Sequence, residues 1–149
     1  MRFVRIVVVT GVVACSSSGP PVKGVGERIL VPALRCALDV PVGTEVTLDE
    51  DGATFTTRPG TRVPRSFDIY ARSPEGAGEL RQDLADDVSI VYSVHKSDGG
   101  SGGEEARLVG ALRVGDRSFA VTCHDQAEWP GAPDPTWCLV WLATVRVDR

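Results

Sequence analysis

The sequence predicts an α+β fold: a mostly antiparallel sheet of five to seven strands with one or two helices packed on it. Three observations carry that expectation. Segments 66–71 and 88–95 alternate apolar and polar residues, the two-residue period of a half-buried strand. Asp51-Gly52 and Gly115-Asp116 each separate two β-rich runs, as hairpin turns do. One acidic stretch, 76–87, sets Leu80 and Leu84 four residues apart, the spacing of a helix face.

Taken in order, the run 29–40 alternates imperfectly and meets Pro41-Val42-Gly43, so it reads as one strand with a turn after it. Segments 44–48 and 53–57 flank the acidic run Asp49-Glu50-Asp51, with Gly52 suited to the positive φ of a tight turn. Segment 66–71 puts Phe67, Ile69 and Ala71 on one side. Segment 76–87 is the expected helix, and 88–95 is a strand with Val88, Ile90, Tyr92 and Val94 on one face. Segment 97–105 reads as a glycine, serine and acid loop. Segments 106–114 and 118–123 form a second hairpin. The tail 136–147 supports two readings. Asp134 as N-cap and Pro135 at the first helical position favour a helix. Alternation at Leu139, Trp141, Ala143, Val145 and Val147 favours a strand. The preferred reading is a short helix ending near Thr144, followed by an extended tail.

The first fifteen residues belong to a different physical regime. Arg2 and Arg5 precede an apolar run, 6–14, that has the length of a signal h-region and is too short to span a bilayer. The run closes on Val12-Val13-Ala14-Cys15, which resembles a bacterial lipobox, and a polar Ser-Ser-Ser-Gly-Pro-Pro stretch follows. The expected organisation is a lipoprotein signal peptide over 1–14, a flexible lipidated tether over 15–27 and a single domain over 28–149. Acylation of Cys15 would anchor the protein to a membrane. Ser16 after that cysteine, in a Gram-negative host, implies the periplasmic face of the outer membrane.

Without Arg2 and Arg5 the chain has 14 basic and 20 acidic residues. The excess is confined to 75–105, with Glu75, Glu79, Asp83, Asp86, Asp87, Asp98, Glu104 and Glu105 against Arg81 and Lys96. Such a balance argues against nucleic-acid binding, which needs a basic surface. It suits a protein partner with a basic surface, or simply a solvated face. Of the remaining cysteines, Cys123 and Cys138 bracket a loop with Pro130, Gly131, Pro133 and Pro135 that no periodicity orders, and they are the preferred disulfide. Cys36 is then a buried thiol. No CxxC and no paired histidines support a zinc site, and neither a metal nor a cofactor is expected.

Several constellations invite a chemical reading. Gly99-Gly100-Ser101-Gly102-Gly103 fits GxSxG, with Asp116 and His124 downstream in serine, acid, histidine order. A nucleophile elbow needs a packed strand-to-helix turn, so a hydrolase using Ser101 is the weaker alternative. Asp49-Glu50-Asp51 lacks the rest of a calcium loop. The pairs Asp86-Asp87 and Glu104-Glu105 are sequence neighbours and do not define a catalytic pair. His95 and His124 have no local ligand partner. Trp129 and Trp137, in and just after the proline-rich loop, are either core residues or interface anchors. The expected partner-binding set is Asp98, Glu104, Glu105, Trp129 and Trp137, with no catalytic residue.

The strand ending Leu38-Asp39-Val40-Pro41, the hairpin around Gly115 and the closing Trp137-Cys138-Leu139 segment resemble small envelope lipoproteins of the Mog1/PsbP-like arrangement. The lipobox, one small domain, the acidic glycine-rich stretch 98–105 and the cysteine-closed C-terminal element resemble the periplasmic immunity lipoproteins of type VI secretion. That resemblance implies a non-enzymatic protein that binds a toxin and occludes it. An envelope assembly or small-ligand-binding lipoprotein is the alternative within the binding class.

Overall fold

The computed structural model describes residues 26–58, 63–72, 78–100 and 103–148. The leader, Cys15 and most of the tether lie outside them. The described chain is mainly β, in two antiparallel sheets with one short helix. Strand β1 (Gly26–Val31) pairs with β2 (Cys36–Pro41), and β10 (Arg146–Val147) pairs with the other side of β2. The larger sheet has seven strands, β3 (Glu45–Leu48), β4 (Gly52–Thr57), β5 (Arg65–Tyr70), β6 (Leu80–Ala85), β7 (Val88–Asp98), β8 (Gly103–Val114) and β9 (Arg117–Glu128). Their spatial order is β3-β4-β5-β9-β8-β7-β6.

The antiparallel expectation holds, while helix content is smaller and there are two sheets. Segment 29–40 is a hairpin. Pro32 opens a 3-10 turn, Pro32–Leu34, and Arg35 takes the left-handed conformation (φ 47°) before β2 begins. No glycine marks that turn, which is why the run reads as continuous. Gly26 and Glu27, placed in the tether from sequence, already pair with Pro41 and Val40. The expected helix over 76–87 is absent where the chain is described: Leu80–Ala85 is an edge strand on β7. Two leucines four apart fit a strand period as well as a helical one, and cross-strand pairing decides.

The core lies between the sheets. Alternate residues of the larger sheet, including Phe55, Phe67, Ile69, Ile90, Leu108, Leu112, Phe119 and Val121, face Val31, Cys36, Leu38 and Val40 of the smaller one. Phe55 and Phe67 are directly opposed in the β4–β5 register, and their rings stack at 4.6 Å. Helix α1 (Leu139–Leu142), preceded by a 3-10 turn Pro135–Cys138, buries Leu139 and Leu142 in the same core. Asp134 caps that turn, its carboxylate accepting from the Thr136 N–H at 2.9 Å. The tail thus takes the helix-then-extended form.

Gly52 does not supply a positive φ. It opens β4, buried, where a Cβ would lie 2.2 Å from the Ile69 carbonyl oxygen and 2.5 Å from the Tyr70 ring. The positive-φ glycines among the described residues are Gly43, Gly100 and Gly115. The neighbouring acids are tied down by side chains: the Tyr70 hydroxyl donates to Asp49 at 2.7 Å, and Arg72 pairs with Asp51 at 3.4 Å.

Candidate partner-binding tip

Strands β7, β8 and β9 form a long ribbon whose far end projects past the core. The stretch 97–105 is mostly strand, correcting the expected loop: β7 runs to Asp98, β8 starts at Gly103, and Asp98 opposes Glu104. Glycines let the reversal close tightly, with Gly99 N–H donating to the Gly103 carbonyl at 3.0 Å and Gly100 at φ 68°. Ser101 lies outside the described residues. The chain around it passes from strand to strand, whereas a nucleophile elbow passes from strand to helix.

Strand alternation sorts the tip residues by face. Positions 104, 106, 108, 112 and 114 of β8 form one row, and from 106 onward its members are buried, so Glu104 extends the core-side row beyond the core. Glu105 is on the opposite face. Its carboxylate lies 3.9 Å from His124 Nδ1, a cross-strand neighbour of Arg107. Glu128 closes β9 opposite Gly103 and is exposed, adding a fourth acid that the sequence reading did not single out.

After Glu128 the chain turns at Trp129, whose side chain is 84% exposed. A tryptophan so displayed leaves a large apolar surface in water. The loop carrying it is pinned by three consecutive residues of β9. Cys123 is bonded to Cys138. The His124 carbonyl accepts from Trp137 Nε1 at 3.1 Å. The Asp125 carboxylate accepts from the Asp134 N–H at 2.7 Å. Asp125 is itself buried and takes two hydrogen bonds from Arg65, at 2.8 and 3.1 Å. A groove of about 320 Å³, lined by Val63, Asp125, Gln126, Glu128, Gly131 and Ala132, lies against the loop.

Five residues were expected to bind a partner, and the structure brings Asp98, Glu104, Glu105 and Trp129 to one end of one ribbon. Trp137 has a different setting. It is half-buried, edge-on to Phe67 at 5.8 Å, beneath the Arg65 guanidinium and held by its indole N–H, so it supports the loop from within. The acidic segment as a whole is not one patch. Asp83, Asp86 and Asp87 lie at the β6–β7 turn, at the opposite end of β7 from Asp98. Eleven residues of strand put about 35 Å between the two groups.

No group of three or more metal-ligating side chains converges among the described residues. A solved structure from Bacteroides thetaiotaomicron VPI-5482 shares the fold, with a TM-score of 0.56 at 11% identity over 83% of this chain; the match spans about half of that protein's length (49%). The Immune protein Tsi3 of Pseudomonas aeruginosa is 30% identical over 120 residues, 80% of this chain and 81% of its own. The model of the type six secretion immunity 3 domain matches residues 37–146, from β2 to β10 and including the whole tip, and the chain belongs to that family.

Proposed function

We propose that this protein is a lipid-anchored, non-enzymatic immunity protein that binds a secreted toxin through the tip of its β7–β8–β9 ribbon and neutralises it. The observation that carries the site is Trp129, fully displayed on a loop pinned by Cys123, His124 and Asp125, beside four acids. A rigid aromatic on a fixed loop loses little freedom on binding, which is what an interface anchor requires. Acids around it steer a basic partner and raise the association rate. The lipobox cysteine, Cys15, would hold the domain in the cell envelope, on the periplasmic face of the outer membrane in a Gram-negative host.

The direct test is co-expression with the cognate type VI toxin. The intact protein is expected to protect cells, and Trp129→Ala to reduce protection without loss of folded protein. Equal protection by the Trp129→Ala variant would remove the tip from the interface. Anchoring is tested separately, by fractionation with labelled fatty acid. Cys15→Ser is expected to abolish labelling and release the protein from membranes. A wild-type protein that takes up no label would refute the anchor.

A further inference from the structure

The seven-stranded sheet ends at β6, and among the described residues no strand pairs with its outer edge. A free edge presents a row of backbone donors and acceptors, which charges or bulges usually blunt. Here the charges have a particular order. Leu80-Arg81-Gln82-Asp83-Leu84 reads apolar, charged, neutral, charged, apolar in both directions, with the two charges of opposite sign. Two copies laid antiparallel with Gln82 opposite Gln82 therefore set each Arg81 against the other copy's Asp83, and each Leu80 against the other's Leu84.

The faces agree with that pairing. Arg81 and Asp83 stand opposite Val91 and Ser89, on the outer face of the sheet. Leu80 and Gln82 stand opposite Tyr92 and Ile90, on the core side. A two-fold axis normal to the sheet keeps core side with core side. Leu80 is half exposed, α1 with the exposed Val140 lies against β6, and Leu84 sits within the bulge, so the regular seam centres on 81–83. Arg81 and Asp83 form no ion pair among the described residues.

We propose that β6 is a self-association edge, through which two copies of this chain pair antiparallel about Gln82 and join their larger sheets into one. The bulge between Asp83 and Ala85 ends the regular stretch, so the seam is short and the association concentration-dependent. The toxin-binding tip takes no part in it, and the two tips lie at opposite ends of the joined sheet.

The test uses the full chain carrying Gln82→Cys. Residues directly opposed in an antiparallel pair have Cα atoms about 4.5–5.5 Å apart, within disulfide range, so a cysteine on the axis pairs with itself. Cys36 is buried and Cys123 is bonded to Cys138, and the unsubstituted chain sets the background from Cys15. Mild oxidation is expected to give a linked dimer on a non-reducing gel. Adding Asp83→Arg, which sets like charges together, is expected to lower that yield about ten-fold. Adding Arg81→Asp as well restores opposite charges and is expected to restore the dimer. No dimer above background, a yield indifferent to Asp83→Arg, or no recovery in the charge swap would each overturn the proposal.

Discussion

Asp125 follows Phe119, Val121 and Cys123 at inward positions of β9, where a carboxylate stands out against three apolar neighbours. That anomaly is legible in the sequence once the strand is placed. Its partners are not, because Arg65 comes from another hairpin and Asp134 from the loop beyond. A buried carboxylate must be matched, and here three donors match it. Replacing Asp125 with Ala leaves the Arg65 guanidinium without a counter-charge and the Asp134 N–H without an acceptor. The expected loss is about 3 kcal/mol in urea unfolding. Cys36 offers a second test at this scale. Burial pushes its thiol up to about 11 from an ordinary value near 9, against a small pull from the Arg117 guanidinium. The unfolded chain therefore ionises first, and stability is complete below pH 9 and falls as pH rises from about 9 to 11. That difference corresponds to about 3 kcal/mol. Burial raises the Tyr70 hydroxyl as well, with Asp49 adding to it, so its contribution is lost in the same direction. Cys36→Ala is expected to be less stable at pH 7 and to show a shallower alkaline decline. An unchanged slope between pH 9 and 11 would assign the decline to Tyr70 and other groups.

Strands and turns divide according to how local their causes are. The β8–β9 hairpin was readable because Gly115-Asp116 and two clean alternating runs agree. The β1–β2 turn was not, since Arg35 holds a left-handed conformation without the usual glycine. The β6 strand reads as helix from sequence because its two leucines fit both periods, and only its pairing with β7 selects one. The Asp98–Glu104 reversal reads as part of a longer loop from sequence, because glycine content reports freedom in the unfolded chain and not the cross-strand bonds that remove it. Gly52 shows the same limit from the other side. Its value is the absence of a Cβ against Ile69 and Tyr70, a contact with a strand far along the chain. Gly52→Ala is expected to cost about 1–3 kcal/mol, because backbone at 2.2 Å cannot give way as a flexible side chain does. Thermal unfolding of that variant, compared with Gly43→Ala in open space at φ 79°, separates crowding from backbone strain. Crowding predicts that the Gly52 variant melts lower.

For the molecule as a whole, folding redistributes a charge excess that the sequence presents as one block. The β6–β7 turn takes Asp86 and Asp87 to one end of the sheet, while Asp98, Glu104 and Glu105 go to the other with Glu128. Under the proposed function, steering of a toxin with a basic surface would rest on the second group alone. That group is itself divided by the pleat. Glu104 is on the core side, the same side to which Asp125 and Cys123 draw the Trp129 loop. Glu105 faces away, beside His124 and on the same face as Arg107, whose guanidinium charge offsets it. Single reversals should therefore be unequal. Glu104→Lys is expected to slow toxin association several-fold at low salt, and Glu105→Lys to slow it less. Both differences should shrink as ionic strength shortens the screening length to about 8 Å at physiological salt. Trp129→Ala should leave association nearly unchanged and speed dissociation by about ten-fold or more, since losing a buried anchor acts after contact is made. Surface-capture kinetics across a salt series separate the two classes. If Glu105→Lys slows association more than Glu104→Lys, the toxin approaches the outer face of the ribbon and the Trp129 loop is not its anchor.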